Sequence, residues 1–168
     1  MKRALASFLT LGLLAACSVT VTVPLPDQTL TLIASNTAGK VIYPKDPLAF
    51  SPPPVQALRI VVTGEAELSP HVPLSLDVHA RASAPSGCLE YFDIYVCDIS
   101  PEDTYVGRID LTKASRTSFT LGEQGGEILA QGVNQGRLWL GVKVGGTGSP
   151  NATLTLKNMT ATVTARVF

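Results

Sequence analysis

The constraint that bears hardest on this chain is an alternation of apolar and polar residues that recurs along most of its length. Successive side chains of a β-strand point to opposite faces, so period-two alternation is the mark of a strand with one buried and one wet face. From Leu74 the row Leu74, Leu76, Val78, Ala80, Ala82 takes one face, and Ser75, Asp77, His79, Arg81, Ser83 the other. Ser18 to Val23 alternates Val with Ser or Thr, and Gln28 to Ile33 repeats the pattern with Leu30 and Leu32. Leu58-Ile60-Val62, Phe92-Ile94-Val96, Ile109-Leu111, Phe119-Leu121 and Leu138-Leu140-Val142-Val144 continue it, with Pro, Gly, Asn or Ser between segments. That spacing predicts an all-β fold, an antiparallel β-sandwich of jelly-roll or immunoglobulin-like (Ig-like) type, with roughly nine to eleven strands. At 168 residues, 45% hydrophobic and 15% charged, the chain can fill the core of one such domain.

Three segments depart from the pattern. Leu154 and Leu156 are apolar at even positions, but Met159, Ala161, Val163, Ala165 and Val167 are apolar at odd ones. One extra residue at Lys157-Asn158 restores the phase, either as a β-bulge in a single long strand or as a tight hairpin. Lys-Asn is a poor two-residue turn beside Asn-Gly, which favours the bulge. The stretch 44–54 holds Pro44, Pro47, Pro52, Pro53 and Pro54, and proline cannot donate into a ladder, so it predicts an extended connection or edge cover. The residues ahead of it are too few for a domain, so the early strands are expected to join the same sandwich. Between Glu123 and Gly136, Ile128, Leu129, Gly132 and Val133 share a face at helical spacing, which predicts one short helix covering an end of the sandwich.

The first residues read as an address. Lys2 and Arg3 precede an apolar run from Ala4 to Leu14, the length of a signal-peptide hydrophobic region and too short to span a bilayer as a helix. The run ends in Leu14-Ala15-Ala16-Cys17, and in this the chain resembles bacterial lipoproteins, whose lipobox places an aliphatic residue and two small ones before a cysteine. The resemblance covers about the first eighteen residues. It implies a signal peptide at 1–16, lipidation of the Cys17 thiol, cleavage after Ala16, and a lipid-anchored domain at 17–168. Several acyl chains give the stable anchoring that one chain cannot. It implies a bacterial cell-envelope location and, with Ser18 rather than Asp after the cysteine, the outer membrane where the cell has one.

Losing residues 1–16 removes two of 13 basic residues against 13 acidic ones, leaving a slightly acidic mature chain. Phosphate neutralisation needs a basic surplus or patch, so no nucleic-acid partner is expected. With Cys17 as lipid carrier, Cys88 and Cys97 remain as an even pair, which in an exported chain reads as a disulfide. Metal binding is the rival, but two thiols without nearby histidines fall short of a four-ligand zinc site.

Candidate chemistry is sparse. Ser75, Asp77 and His79 share a strand face at steps of about 6.5–7 Å, but Asp then lies between Ser and His, whereas a triad needs His in the middle. A hydrated polar row, with Asp77 and Arg81 flanking His79, is the expectation. Asp98, Glu102 and Asp103 form an oxygen-rich loop of the kind that can hold calcium, and Glu65 and Glu67 trail off a strand. No cofactor or metal is expected. Tyr91, Tyr95 and Trp139 are out of phase with the apolar rows of their strands and therefore face outward, where exposed rings would make a stacking platform for sugars. The competing expectation packs them under a loop, against the proline segment or beside the disulfide. Together these features predict a non-enzymatic structural or interaction protein held to the membrane by lipid, its partner another envelope protein or a glycan. The alternative is a carbohydrate-binding module displayed on the same anchor.

Overall fold

The computed structural model describes residues 18–34, 37–145 and 150–166. Cys17 lies outside them. Twelve described strands and one helix form two antiparallel sheets packed face to face: β1 Ser18–Pro24, β2 Gln28–Leu32, β3 Val41–Pro44, β4 Leu48–Ala49, β5 Arg59–Ser69, β6 Ser75–Arg81, β7 Leu89–Tyr91, β8 Ile94–Cys97, β9 Thr104–Asp110, β10 Arg116–Leu121, α1 Gly126–Gln135, β11 Arg137–Val144 and β12 Ala152–Arg166. The chain is an all-β sandwich, as the alternation predicts, with twelve described strands where roughly nine to eleven are expected, the two-residue β4 lying among prolines where alternation gives no signal.

The five-stranded sheet runs β1-β12-β5-β10, and β2 pairs with β12 in line with β1. β1 and β2 are thus one edge, interrupted at 25–27, laid along a single long partner: Ser18 stands opposite Arg166 and Pro24 opposite Thr160, then Gln28 opposite Leu156. Opposite that interruption lies the phase change. Against β5, Lys157 pairs with Glu65 and Thr160 with Thr63, leaving Asn158 and Met159 facing Gly64 alone. This is the bulge, not a hairpin. Asn158 takes a left-handed backbone (φ 51°), and its N–H donates to Asp27 Oδ1 at 3.1 Å. A Cβ at position 64 would fall 2.8 Å from Phe119 Cζ and 3.0 Å from the Lys157 carbonyl, so Gly64 is the residue that admits the bulged strand. On either side of it Leu154, Leu156, Met159, Ala161, Val163 and Ala165 all reach the core.

The seven-stranded sheet runs β7-β8-β3-β11-β6-β9, with β4 also on β11. The proline-rich stretch is therefore not merely a connection, since Pro44 ends β3 and Leu48–Ala49 pairs with Leu138 and Arg137. Val142 faces Ile42, so two residues along the same register Leu140 faces Pro44, which has no N–H to offer. Gln28 reaches across from the other sheet, its Nε2 donating to the Leu140 carbonyl at 2.9 Å. β7 and β8 form a hairpin in which Tyr91 faces Ile94, so Phe92-Asp93 is its turn. Phe92 is fully exposed, and the expected row Phe92-Ile94-Val96 keeps only its last two members in the core. On the opposite side Gly122 N–H donates to Val106 at 2.8 Å, tying the end of β10 to β9 and joining the two sheets.

Helix α1 lies at one end of the sandwich, as expected. It buries Leu129, Ala130, Gly132 and Val133 against β5 and β11, while Ile128 is only half-buried. A left-handed Gly136 ends it (φ 69°), its N–H bonding the Gly132 and Val133 carbonyls.

Candidate functional site

The outward face of the seven-stranded sheet carries the polar and aromatic residues singled out from the sequence, and it is not uniformly wet. β6 presents Asp77, His79 and Arg81 there; β11 presents Trp139 beside Arg81 and Gly141 beside His79; β3 presents Val41 and Tyr43; β8 presents Tyr95 and Cys97. Val41, Tyr43, Cys97 and Trp139 form a second hydrophobic cluster separate from the main core, with Cys88 and Tyr95 packed on its rim. Tyr43 lies across Gly141, where a Cβ would fall 2.5 Å from its ring.

The segment before β9 covers this cluster. Asp103 fixes that segment to itself, its Oδ2 accepting the Ser100 N–H at 2.6 Å while its own N–H bonds the Ser100 carbonyl at 3.0 Å. Its Oδ1 accepts the Tyr43 hydroxyl at 2.7 Å. The Arg81 side chain is 4% exposed and lies over the Tyr43 ring, 5.9 Å from its centroid. Its Nη2 bonds Glu102, and its Nε lies 3.6 Å from Asp103 Oδ1. A buried guanidinium is tolerable only with such compensation. Burial first, then the bond to Asp103, pushes the Tyr43 phenol far above its ordinary pKa, so it stays a neutral donor.

His79 meets a different environment. The residue is 6% exposed, packs edge-on against Tyr105 with centroids 5.9 Å apart, and has neither ring nitrogen in good hydrogen-bonding geometry with a described group. Burial lowers its pKa, against the pull of the Asp103 backbone and the Asp103 and Asp77 carboxylates, with Lys143 adding to the depression. The expected hydrated histidine is thus a buried neutral one. Asp77 is occupied elsewhere, by Arg108 at 2.8 Å and Lys143 at 3.9 Å.

The aromatic platform at Tyr91, Tyr95 and Trp139 is not assembled. Trp139 does project outward, but at 5% exposure it is sealed among Val41, Tyr43 and the cystine. Tyr95 is half-buried on the rim of the same cluster, with Lys45 Nζ 5.8 Å from its ring centroid. Tyr91 faces the other way: it stands opposite Ile94, whose side chain is in the main core, and directly opposed strand residues share a face. Phase along a strand predicts direction, and cover by a distant loop decides exposure. Cys88 and Cys97 form a disulfide that closes the β7–β8 hairpin, with Cα atoms 4.5 Å apart. Asp98 pairs with Lys40 at 2.7 Å, so the oxygens of the loop that suggested calcium are bonded to protein groups.

A cleft of about 420 Å³ opens beside the covering segment, lined by Ser83, Glu102, Thr104, Gln131, Gln135 and Arg137 among others. Glu102, its carboxylate, is held by Arg81. A second of about 410 Å³ opens where the sheets separate, between Asp27, Asp46 and Asp93 with Pro44 and Pro47. Asp27 and Asp93 are bonded there to the Asn158 N–H and the Thr31 hydroxyl. No cluster of three or more metal-ligating side chains occurs among the described residues. The arrangement can order a surface and hold a loop.

The sequence matches no protein-family model, and no curated protein is significantly similar to it.

Proposed function

We propose that this protein is a non-enzymatic, lipid-anchored β-sandwich of the bacterial cell envelope, a structural or interaction module displayed from a membrane. The observation that carries the reading is the Cys88–Cys97 disulfide. Such bonds persist in oxidising compartments and are rare in the cytosol, so the pair supports export independently of the lipobox at Leu14-Ala15-Ala16-Cys17. The engagement of Asp77, Arg81, Glu102 and Asp103 with one another and with Arg108 and Tyr43 supports a structural rather than catalytic role for the polar face. Trp139, sealed at 5% exposure, gives the glycan-stacking alternative no surface to stand on.

The test is expression of the full chain in a double-membraned bacterial host with a fatty-acid label. The expected product carries the label, begins at Cys17 and fractionates with the envelope. Cys17→Ser should remove the label and release the folded domain to the soluble fraction. A Cys17→Ser protein that still partitions into membranes after export overturns the anchoring reading.

A further inference from the structure

We infer that the domain stands end-on against the bilayer, with the Leu58 and α1 end of the sandwich seated in the headgroup layer and no spacer between lipid and fold. The inference rests on the lipid-anchor reading and adds to it an orientation. Ser18, the residue after Cys17, is already in the ladder opposite Arg166, and every residue from Ser18 to Pro24 has a partner on β12. Consecutive Cα atoms are about 3.8 Å apart, so a lipid on Cys17 is bound to the first rung of the sheet with one residue of slack at most. An anchored domain can tumble above a membrane only on a flexible tether, and here none intervenes.

The end so tethered can be read from the pairing. Leu58 N–H bonds the Thr164 carbonyl at 3.2 Å beside that first rung, and Arg59 Nη2 reaches the Glu123 carbonyl at 3.3 Å just before α1. The Asn134 side chain at the C-terminal turn of α1 bonds the Ala57 N–H at 2.8 Å. Val19 and Leu58, flanking the end of β12, are among the exposed large hydrophobics, 38% and 48% accessible. Among the side chains described near this end, exposed Arg59 and Arg137 stand against exposed Glu123 and Glu127. Seating comes from the tether and from the apolar pair Val19 and Leu58.

The fully exposed Phe92 marks the rival orientation. It sits in the β7–β8 turn beside Asp93, which bonds Thr31 in β2. The experiment places a fluorophore on Leu58→Cys, Phe92→Cys or Ser115→Cys in the lipidated full chain, Ser115 lying at the far end where its carbonyl accepts the Leu68 N–H. Vesicles of phosphatidylethanolamine and phosphatidylglycerol with brominated acyl chains supply the quencher. Quenching is expected to be several-fold greater at position 58 than at 115. A flexible insert of about ten Gly/Ser residues between Cys17 and Ser18, with a mean span of roughly 16–19 Å, should abolish the difference while the lipid remains. Equal quenching at 58 and 115, or the strongest at 92, overturns the orientation and leaves the anchor standing. A protein whose mass shows no lipid overturns the anchor reading itself.

Discussion

A methyl group added at Gly141 would fall 2.5 Å from both Cδ1 and Cε1 of Tyr43, against the body of a ring that cannot yield. Tyr43 is held by its hydroxyl on Asp103 and by Arg81 over its face. Gly141→Ala is therefore expected to lower stability by about 1–3 kcal/mol, the usual range for overpacking, seen as a lower melting temperature with near-ultraviolet dichroism altered around Trp139. His79 supplies the second residue-level prediction. Its folded pKa lies below the ordinary histidine value near 6.5 because the ring is buried, so the unfolded chain binds the proton more readily. Stability should be full above the unfolded pKa and fall as pH drops through and below it. Asp77 and Asp103 oppose that fall, while Lys143 reinforces it. His79→Phe should flatten the melting temperature between about pH 7 and 5, and an unchanged slope would remove His79 as its origin. Neither residue's role was legible in the sequence. Alternation tells which way Trp139, His79 and Arg81 point, but their burial depends on Asp103, whose engagement with Tyr43 spans 60 positions.

The elements were most legible where a local pattern had no tertiary competitor. β6 and β11 form where alternation is strict, and α1 falls where Leu129, Gly132 and Val133 recur at helical spacing. The hairpin turn at Phe92-Asp93 was not legible, because it lacks the Asn-Gly type of signal and its phenylalanine continues an apolar row. β4 was hidden for the opposite reason: its two residues sit among prolines and pair only because β11 supplies an edge. The phase change in β12 was readable, since a one-residue shift moves every later side chain to the other face. Deleting Asn158 should accordingly turn Met159, Ala161, Val163 and Ala165 outward. Burial of a Met- or Val-sized side chain contributes about 1.5–3 kcal/mol, so that loss is comparable to the whole stability of a small domain, about 5–15 kcal/mol. The expected result is no cooperative thermal unfolding. Asn158→Gly, which keeps the extra residue and accepts the left-handed backbone, should stay within about 1 kcal/mol of the parent, whereas Asn158→Val should lose about 1–3 kcal/mol through strain at φ 51°.

At the scale of the whole molecule, the last described strand is also the centre of its sheet. β12 pairs with β5 along one side and with both β1 and β2 along the other, so the earliest and latest described strands meet along it. Its 15 residues extend for about 45–50 Å at the usual rise. Without it, β1 and β2 have no described ladder partner, and the five-stranded sheet keeps only β5 paired with β10. The buried Leu30, Leu32, Ile60 and Val62 would then lose the strand that lies between them. Such non-local pairing costs loop-closure entropy before its contacts repay it, so folding should be slow and should not finish on a partial chain. Expressing residues 17–150 alone is therefore expected to give a collapsed species that binds a hydrophobic dye and shows no sharp thermal transition. Supplying 151–168 as a separate peptide should restore native near-ultraviolet dichroism in a concentration-dependent way, because it brings the strand that pairs with β1, β2 and β5. A chain of 17–150 that unfolded cooperatively by itself would show that the seven-stranded sheet and α1 are self-sufficient, and that β12 joins a structure already made.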